Sequence, residues 1–367
     1  MLFGQFAFVV ITTVHLAIAL DIPIGIHLGL FNLTSAYIST DGNPRTLASV
    51  PGSLDYQEYM KSLALKDQNH QQTSTTDTSR EILFNAIETI RLATSKLLKP
   101  SATPKITGIT VPDFHQPRED VCNAAGKALP DSYLDYFQIL GLTRAMRLAY
   151  ELNSCENIRL DSKSCDLDNG HYMLFLDLNP HHLQISFAEV GVHTLLIQNR
   201  TLSLALGADS KAEGGQQWAE FATKMMKDFI SDNLASKSIS YKLQGLSSIV
   251  IAGEADQLYM KRLRTILEDL LPDHQNLIHD DIAYEWVGAI GAAYLSKLQA
   301  NQNLHTADGP NWKASGNTLD QLGKEVGHAF VVVGDVIGKG VKDTGLQISD
   351  AFKDLEKAIT GKNRDGH

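Results

Sequence analysis

Leu174-Phe175-Leu176-Asp177-Leu178-Asn179-Pro180-His181-His182 is the stretch on which the fold turns. An almost unbroken apolar run, the signature of a strand covered on both faces, stops at residues that favour a loop. Three other segments have the same form: Ile24-Gly25-Ile26-His27-Leu28-Gly29-Leu30, Ile109-Thr110-Val111-Pro112 and Ile249-Val250-Ile251-Ala252-Gly253. A buried strand delivers its loop at the carboxyl end, which is where open α/β sheets bind ligands. Four such segments in order outline one cleft.

The intervening sequence supplies the rest of an α/β chain. Strands are expected over 22–26, 34–39, 106–111, 136–140, 172–178, 184–190, 194–199 and 248–252. The residues at 67–80 are polar and of low complexity, which predicts a loop. Over 81–98, Ile82, Ala86, Ile90, Ala93 and Leu97 share a helical face and Pro100 stops it. Further helices are expected over 119–129, 143–152, 216–234, 256–271 and 282–298. Strand hairpins followed by helices, occurring twice, imply a duplicated lobe.

With 367 residues, 43% of them hydrophobic, the chain can fill two cores. A net charge of -10 without any basic stripe argues against nucleic acid as a partner. Residues 1–20 are nearly all apolar and end in Ala17-Ile18-Ala19, a small-x-small pattern that predicts a cleaved signal peptide and a secreted or endomembrane location. No positively charged segment precedes the run, so a membrane anchor is the alternative. Secretory entry makes Asn32-Leu33-Thr34 and Asn199-Arg200-Thr201 usable as glycosylation sequons. It also allows a disulfide between Cys155 and Cys165, leaving Cys122; three free thiols is the other reading.

Thr107-Gly108-Ile109-Thr110-Val111-Pro112-Asp113-Phe114 is similar to the T-V-P-A-x-F strand of the seventy-kilodalton heat-shock chaperones. Leu148-Ala149-Tyr150 follows at the family's distance, and Gly291-Ala292-Ala293 looks like its closing helix. Residues 22–299 thus resemble the nucleotide-binding part of those chaperones, within the actin and sugar-kinase superfamily. The resemblance implies a two-lobed actin-like (ribonuclease H-like) ATPase fold. Lobe I spans 21–170 and is completed by helix 282–299; lobe II spans 171–281.

It also implies a nucleotide cleft at Gly25, Gly29, Asp177 and Gly253, with ATP or ADP as the candidate ligand. The family's working groups are missing, however. His27 stands where an aspartate would hold hydrated magnesium, and Gly141 where a glutamate would polarise the reacting water. Asn179-Pro180-His181-His182 replaces a glycine-rich phosphate loop, and proline has no N–H to donate. Glu254 takes the place of the adenosine loop's second glycine. No counterpart of the catalytic lysine is found. Phosphoryl transfer depends on those groups, so a dead ATPase is expected. A glycan on Asn32 would block the cleft mouth. His27 and Asp177, with His181 or His182 beside them, offer two imidazoles and a carboxylate, a donor set that suits zinc; the alternative is that the histidines plug a vacated pocket.

After a polar linker at 300–316, the tail at 317–361 replaces the family's peptide-binding domain. Val326, Ile337, Ile348 and Ile359 recur every eleven residues, a period of about 3.67 residues per turn that keeps one apolar face on a long helix. Interspersed glycines weaken that helix by roughly 1 kcal/mol each. Folding on a lipid surface or a partner is therefore expected, against packing on its own body or pairing as a coiled coil. The chain reads as a pseudo-ATPase acting through an unknown protein partner. A weak ATP- or ADP-binding chaperone-like protein and a lipid-surface protein are the alternatives.

Overall fold

The computed structural model describes residues 20–69, 71, 76–98, 102–114, 118–130, 132, 134, 136–158, 171–191, 194–209, 215–234 and 246–306. The first half supplies strands β1 (Leu20–Leu28), β2 (Asn32–Ile38), β3 (Pro44–Pro51), β4 (Ala102–Val111) and β5 (Ile139–Gly141). They form one sheet in the order β3-β2-β1-β4-β5. β1, β2 and β3 make an antiparallel meander, while β4 and β5 add in parallel on the other side of β1.

The second half repeats this plan. Strands β6 (His171–Asn179), β7 (His182–Val190), β8 (Leu195–Ser203), β9 (Leu246–Ala252) and β10 (Ile278–His279) lie in the order β10-β9-β6-β7-β8. β6, β7 and β8 form the antiparallel meander, and β9 and β10 are the parallel additions. The protein is therefore a mixed α/β chain with two five-stranded mixed sheets of one shared topology.

Helices α1 (Leu54–Gln68), α2 (Asp77–Leu97), α3 (Arg118–Ala128) and α4 (Leu142–Ala149) belong to the first half. α5 (Gly215–Leu234), α6 (Gln257–Leu270) and α7 (Val287–Thr306) follow in the second. Their starts are chemically marked. Ser53 caps α1 by accepting the Tyr56 N–H, Thr76 and Ser79 bond reciprocally at α2, and Asp256 accepts two N–H groups at α6. The apolar face of α2 buries Leu83, Ile87 and Ile90 with Ile24, Ile26 and Leu33 of the first sheet. α5 and α6 cover the second sheet, burying Trp218, Met226 and Leu263 with Leu176 and Phe187.

A third core joins the two halves: Ala36 and Ile38 meet Met173, Phe175 and Val250, with Met146, Ile290 and Ala293 from α4 and α7 between them. α7 lies so close to β1 that a Cβ on Gly25 would collide with the Ala292–Ala293 backbone. Gly25 therefore serves this close approach.

Several boundaries differ from expectation. β3 and α1 are additional elements. α1 reaches Gln68 and α2 starts at Asp77, which shortens the loop predicted at 67–80. The strand predicted at 136–140 is a single 3-10 turn over Tyr136–Gln138 followed by the short β5. The last helix starts at Val287, after a tight turn at Tyr284–Trp286, and runs through Thr306 into the predicted linker. β1 starts at Leu20, within the predicted leader; residues 1–19, the tail at 317–361 and Cys165 lie outside the described residues. Among the described residues, no helix is long and apolar enough to cross a membrane.

Candidate functional site

The carboxyl ends of β1, β4, β6 and β9 converge, and the loops that follow them face one another. His27, Gly29, Pro112, Asp177, Gly253 and Glu254 line the space between them, and its volume is about 10 Å³. That is room for about one water molecule. Among the described residues, no lysine or arginine lines it.

What fills it is a chain of polar side chains. Asp177 Oδ1 accepts from Asn179 Nδ2 at 2.7 Å, and Asp177 Oδ2 lies 3.2 Å from His182 Nε2. With the His182 proton on Nε2, both carboxylate oxygens are engaged. Asn179 Oδ1 accepts the Glu254 N–H at 3.0 Å. The Glu254 carboxylate then takes the Phe31 N–H at 2.7 Å and the Asn32 N–H at 3.1 Å, closing the network onto the loop between β1 and β2. Gly253 sits at φ +129 against the Leu178 backbone, a conformation that needs glycine.

The enclosed setting shifts two titrating groups strongly. Desolvation lowers His27 from 6.5 to about 4, although Asp177 and the Thr110 backbone pull the other way. Desolvation raises Glu254 from 4.5 to about 8 against the pull of its two amide partners, with Asp177 and Glu285 adding to the rise. His27 is neutral at neutral pH, and its Nδ1 has no hydrogen-bond partner among the described residues.

Of the expected nucleotide residues, Gly29, Asp177 and Gly253 meet at the cleft, whereas Gly25 lies within β1 beneath α7. Of the expected zinc donors, His27 and Asp177 share the cleft. His181 turns away to pack edge-on against Phe31, with ring centroids 4.8 Å apart. His182 engages Asp177 instead: His181 lies in the turn, whereas His182 opens β7 opposite Asn179, two residues along β6 from Asp177 and on the same face. Among the described residues, no group of three or more His, Cys, Asp or Glu side chains is arranged to hold a metal ion.

Asn32 opens β2 half-buried, and Thr34 of the same sequon is 1% exposed. Asn199 is exposed on β8, with its Nδ2 2.9 Å from Asn233 Oδ1. Cys155 is disulfide-bonded, and Cys122 packs half-buried against the first core.

Two residues escaped sequence reasoning. Asp113, within the quoted Pro-Asp-Phe stretch, accepts from the Thr143 N–H at 3.0 Å, from the Thr143 hydroxyl and from Gln184 Nε2 at 3.2 Å. Burial raises its pKa. Glu254 was legible only as a misplaced charge. Its partners lie 222 and 223 residues away, so nothing local points to them.

No protein-family model matches this chain. No curated protein matches it either.

Proposed function

We propose that this chain is a degenerate actin-like ATPase, resembling the nucleotide-binding part of the seventy-kilodalton heat-shock chaperones, that works by holding a protein partner. The repeated strand order and a cleft at the carboxyl ends of β1, β4, β6 and β9 support the two-lobed reading. One observation carries the loss of activity: His27, Asn179 and Glu254 line a cleft that retains about 10 Å³, too little for any phosphate group. Phosphoryl transfer needs metal and cationic groups held against the phosphates, and among the described residues the lining offers neither lysine nor arginine. The apolar leader at 1–20 supports a secretory or endomembrane setting for the partner.

Calorimetric titration of ATP and ADP, with magnesium, into the full chain tests this. No heat and no thermal shift at millimolar nucleotide is the expected result, since a ligand that binds the folded state must stabilise it. Micromolar binding would replace this reading with that of a nucleotide-dependent chaperone-like protein.

A further inference from the structure

The loop after β1 aims two successive backbone N–H groups, those of Phe31 and Asn32, at one place. A single carboxylate fills it. Glu254 Oε2 lies 2.7 Å from Phe31 N and Oε1 3.1 Å from Asn32 N. The carboxylate comes from the opposite sheet, just beyond β9, and its own N–H is fixed by Asn179 at 3.0 Å. Gly29 makes the room, because a Cβ there would collide with the Glu254 carboxylate. Tyr56 steadies the same loop by donating to the Gly29 carbonyl at 2.7 Å.

Neighbouring amides converging on one point are a general device for gripping oxyanions. A carboxyl group presents two oxygens to such a pair, as an oxyanion does, but here it arrives tethered to the chain. We propose that the Phe31–Asn32 amide pair is an oxyanion seat that the protein fills with its own Glu254, and that a small free oxyanion such as phosphate takes the seat only when this side chain is gone. Tethering gives Glu254 an effective concentration of millimolar or more, so dilute phosphate does not displace it. The tethered Glu254 accounts for what keeps the cleft shut, which is separate from whether the cleft ever hydrolysed ATP.

The test is titration of inorganic phosphate, and separately of ADP, into full-length wild type, E254A and E254Q. E254A vacates the seat, whereas E254Q refills it with an amide oxygen. Phosphate is expected to bind E254A at least about tenfold more tightly than either of the others, a difference of about 1.4 kcal/mol. Binding of ADP alone would still support a seat, one built for the phosphate of a nucleotide. Folded E254A that binds neither overturns the proposal. If E254A does not fold, hydrogen exchange in the wild type decides. The Phe31 and Asn32 amides should exchange at least about a hundredfold more slowly than open loop amides, and unprotected amides would sink the idea. Nucleotide binding by the wild type would remove the pseudo-ATPase reading, and would remove this one too unless E254A bound more tightly still; failure of folded E254A to bind would remove this one alone.

Discussion

His27 and Glu254 set opposite pH slopes. The folded state gives up the His27 proton at about 4, whereas the unfolded chain holds it up to 6.5. Between those values the unfolded state binds more protons, so stability falls as the pH drops from 6.5 towards 4. The full loss approaches about 3 kcal/mol. Glu254 works in the other sense. Its folded pKa of about 8 exceeds the ordinary 4.5, so its contribution is complete below 4.5 and is lost as the pH rises through 8. Asp177 and Glu285 face it and raise it further, with Tyr56 alongside, while the Phe31 and Asn32 amides oppose them. The two slopes compete between pH 4.5 and 6.5, and of the two only that of Glu254 continues from there to 8. Calorimetric scans should therefore show the wild-type Tm falling from pH 6.5 to 8 and E254Q holding nearly level. A wild-type Tm that rose across that window would contradict the assignment. His27→Gln should flatten the acid side in the same scans.

At the scale of elements, the contact between α7 and β1 is the most exacting. Gly25→Ala puts a methyl group into the Ala292–Ala293 backbone, which no rotamer change relieves. Urea unfolding should show a loss of about 3 kcal/mol or more. The sequence revealed those elements whose chemistry is local. β6 and β9 are buried at essentially every residue and read as unbroken apolar runs. α6 carries both its cap at Asp256 and its periodicity. β3 was hidden because it is an edge strand, exposed over its first three residues and bounded by Pro44 and Pro51. α1 was hidden because Leu54 and Leu65 point outward, 77% and 51% exposed, which blurs its apolar stripe. The cleft divides in the same way. Asp177 and Gly253 end apolar runs and could be named. The choice of His182 over His181 depends on where β7 starts, and the Glu254 contact depends on how two distant sheets come together.

For the whole molecule, polar ties among the described residues cross between the halves besides the shared core. Glu254 grips the β1–β2 loop, Gln184 of β7 reaches Asp113, Arg147 of α4 donates to the Gly191 carbonyl, and Arg200 of β8 pairs with Asp67 of α1 at 2.7 Å. They are not equal. Asp113→Ala leaves three buried donors without an acceptor, and chemical denaturation should show a loss of about 3 kcal/mol. Arg200→Ala removes a partly exposed ion pair and should cost at most about 1 kcal/mol in the same measurement. The packing of α7 also has a consequence for synthesis. The Ser296 hydroxyl rests 3.0 Å from the Ile24 carbonyl, a contact spanning 272 residues. A ribosome adding about 5–20 residues per second needs tens of seconds to pass from one to the other. Throughout that interval the β1 face that α7 will cover stands bare, so the nascent first half has an apolar surface that only outside shelter can hide.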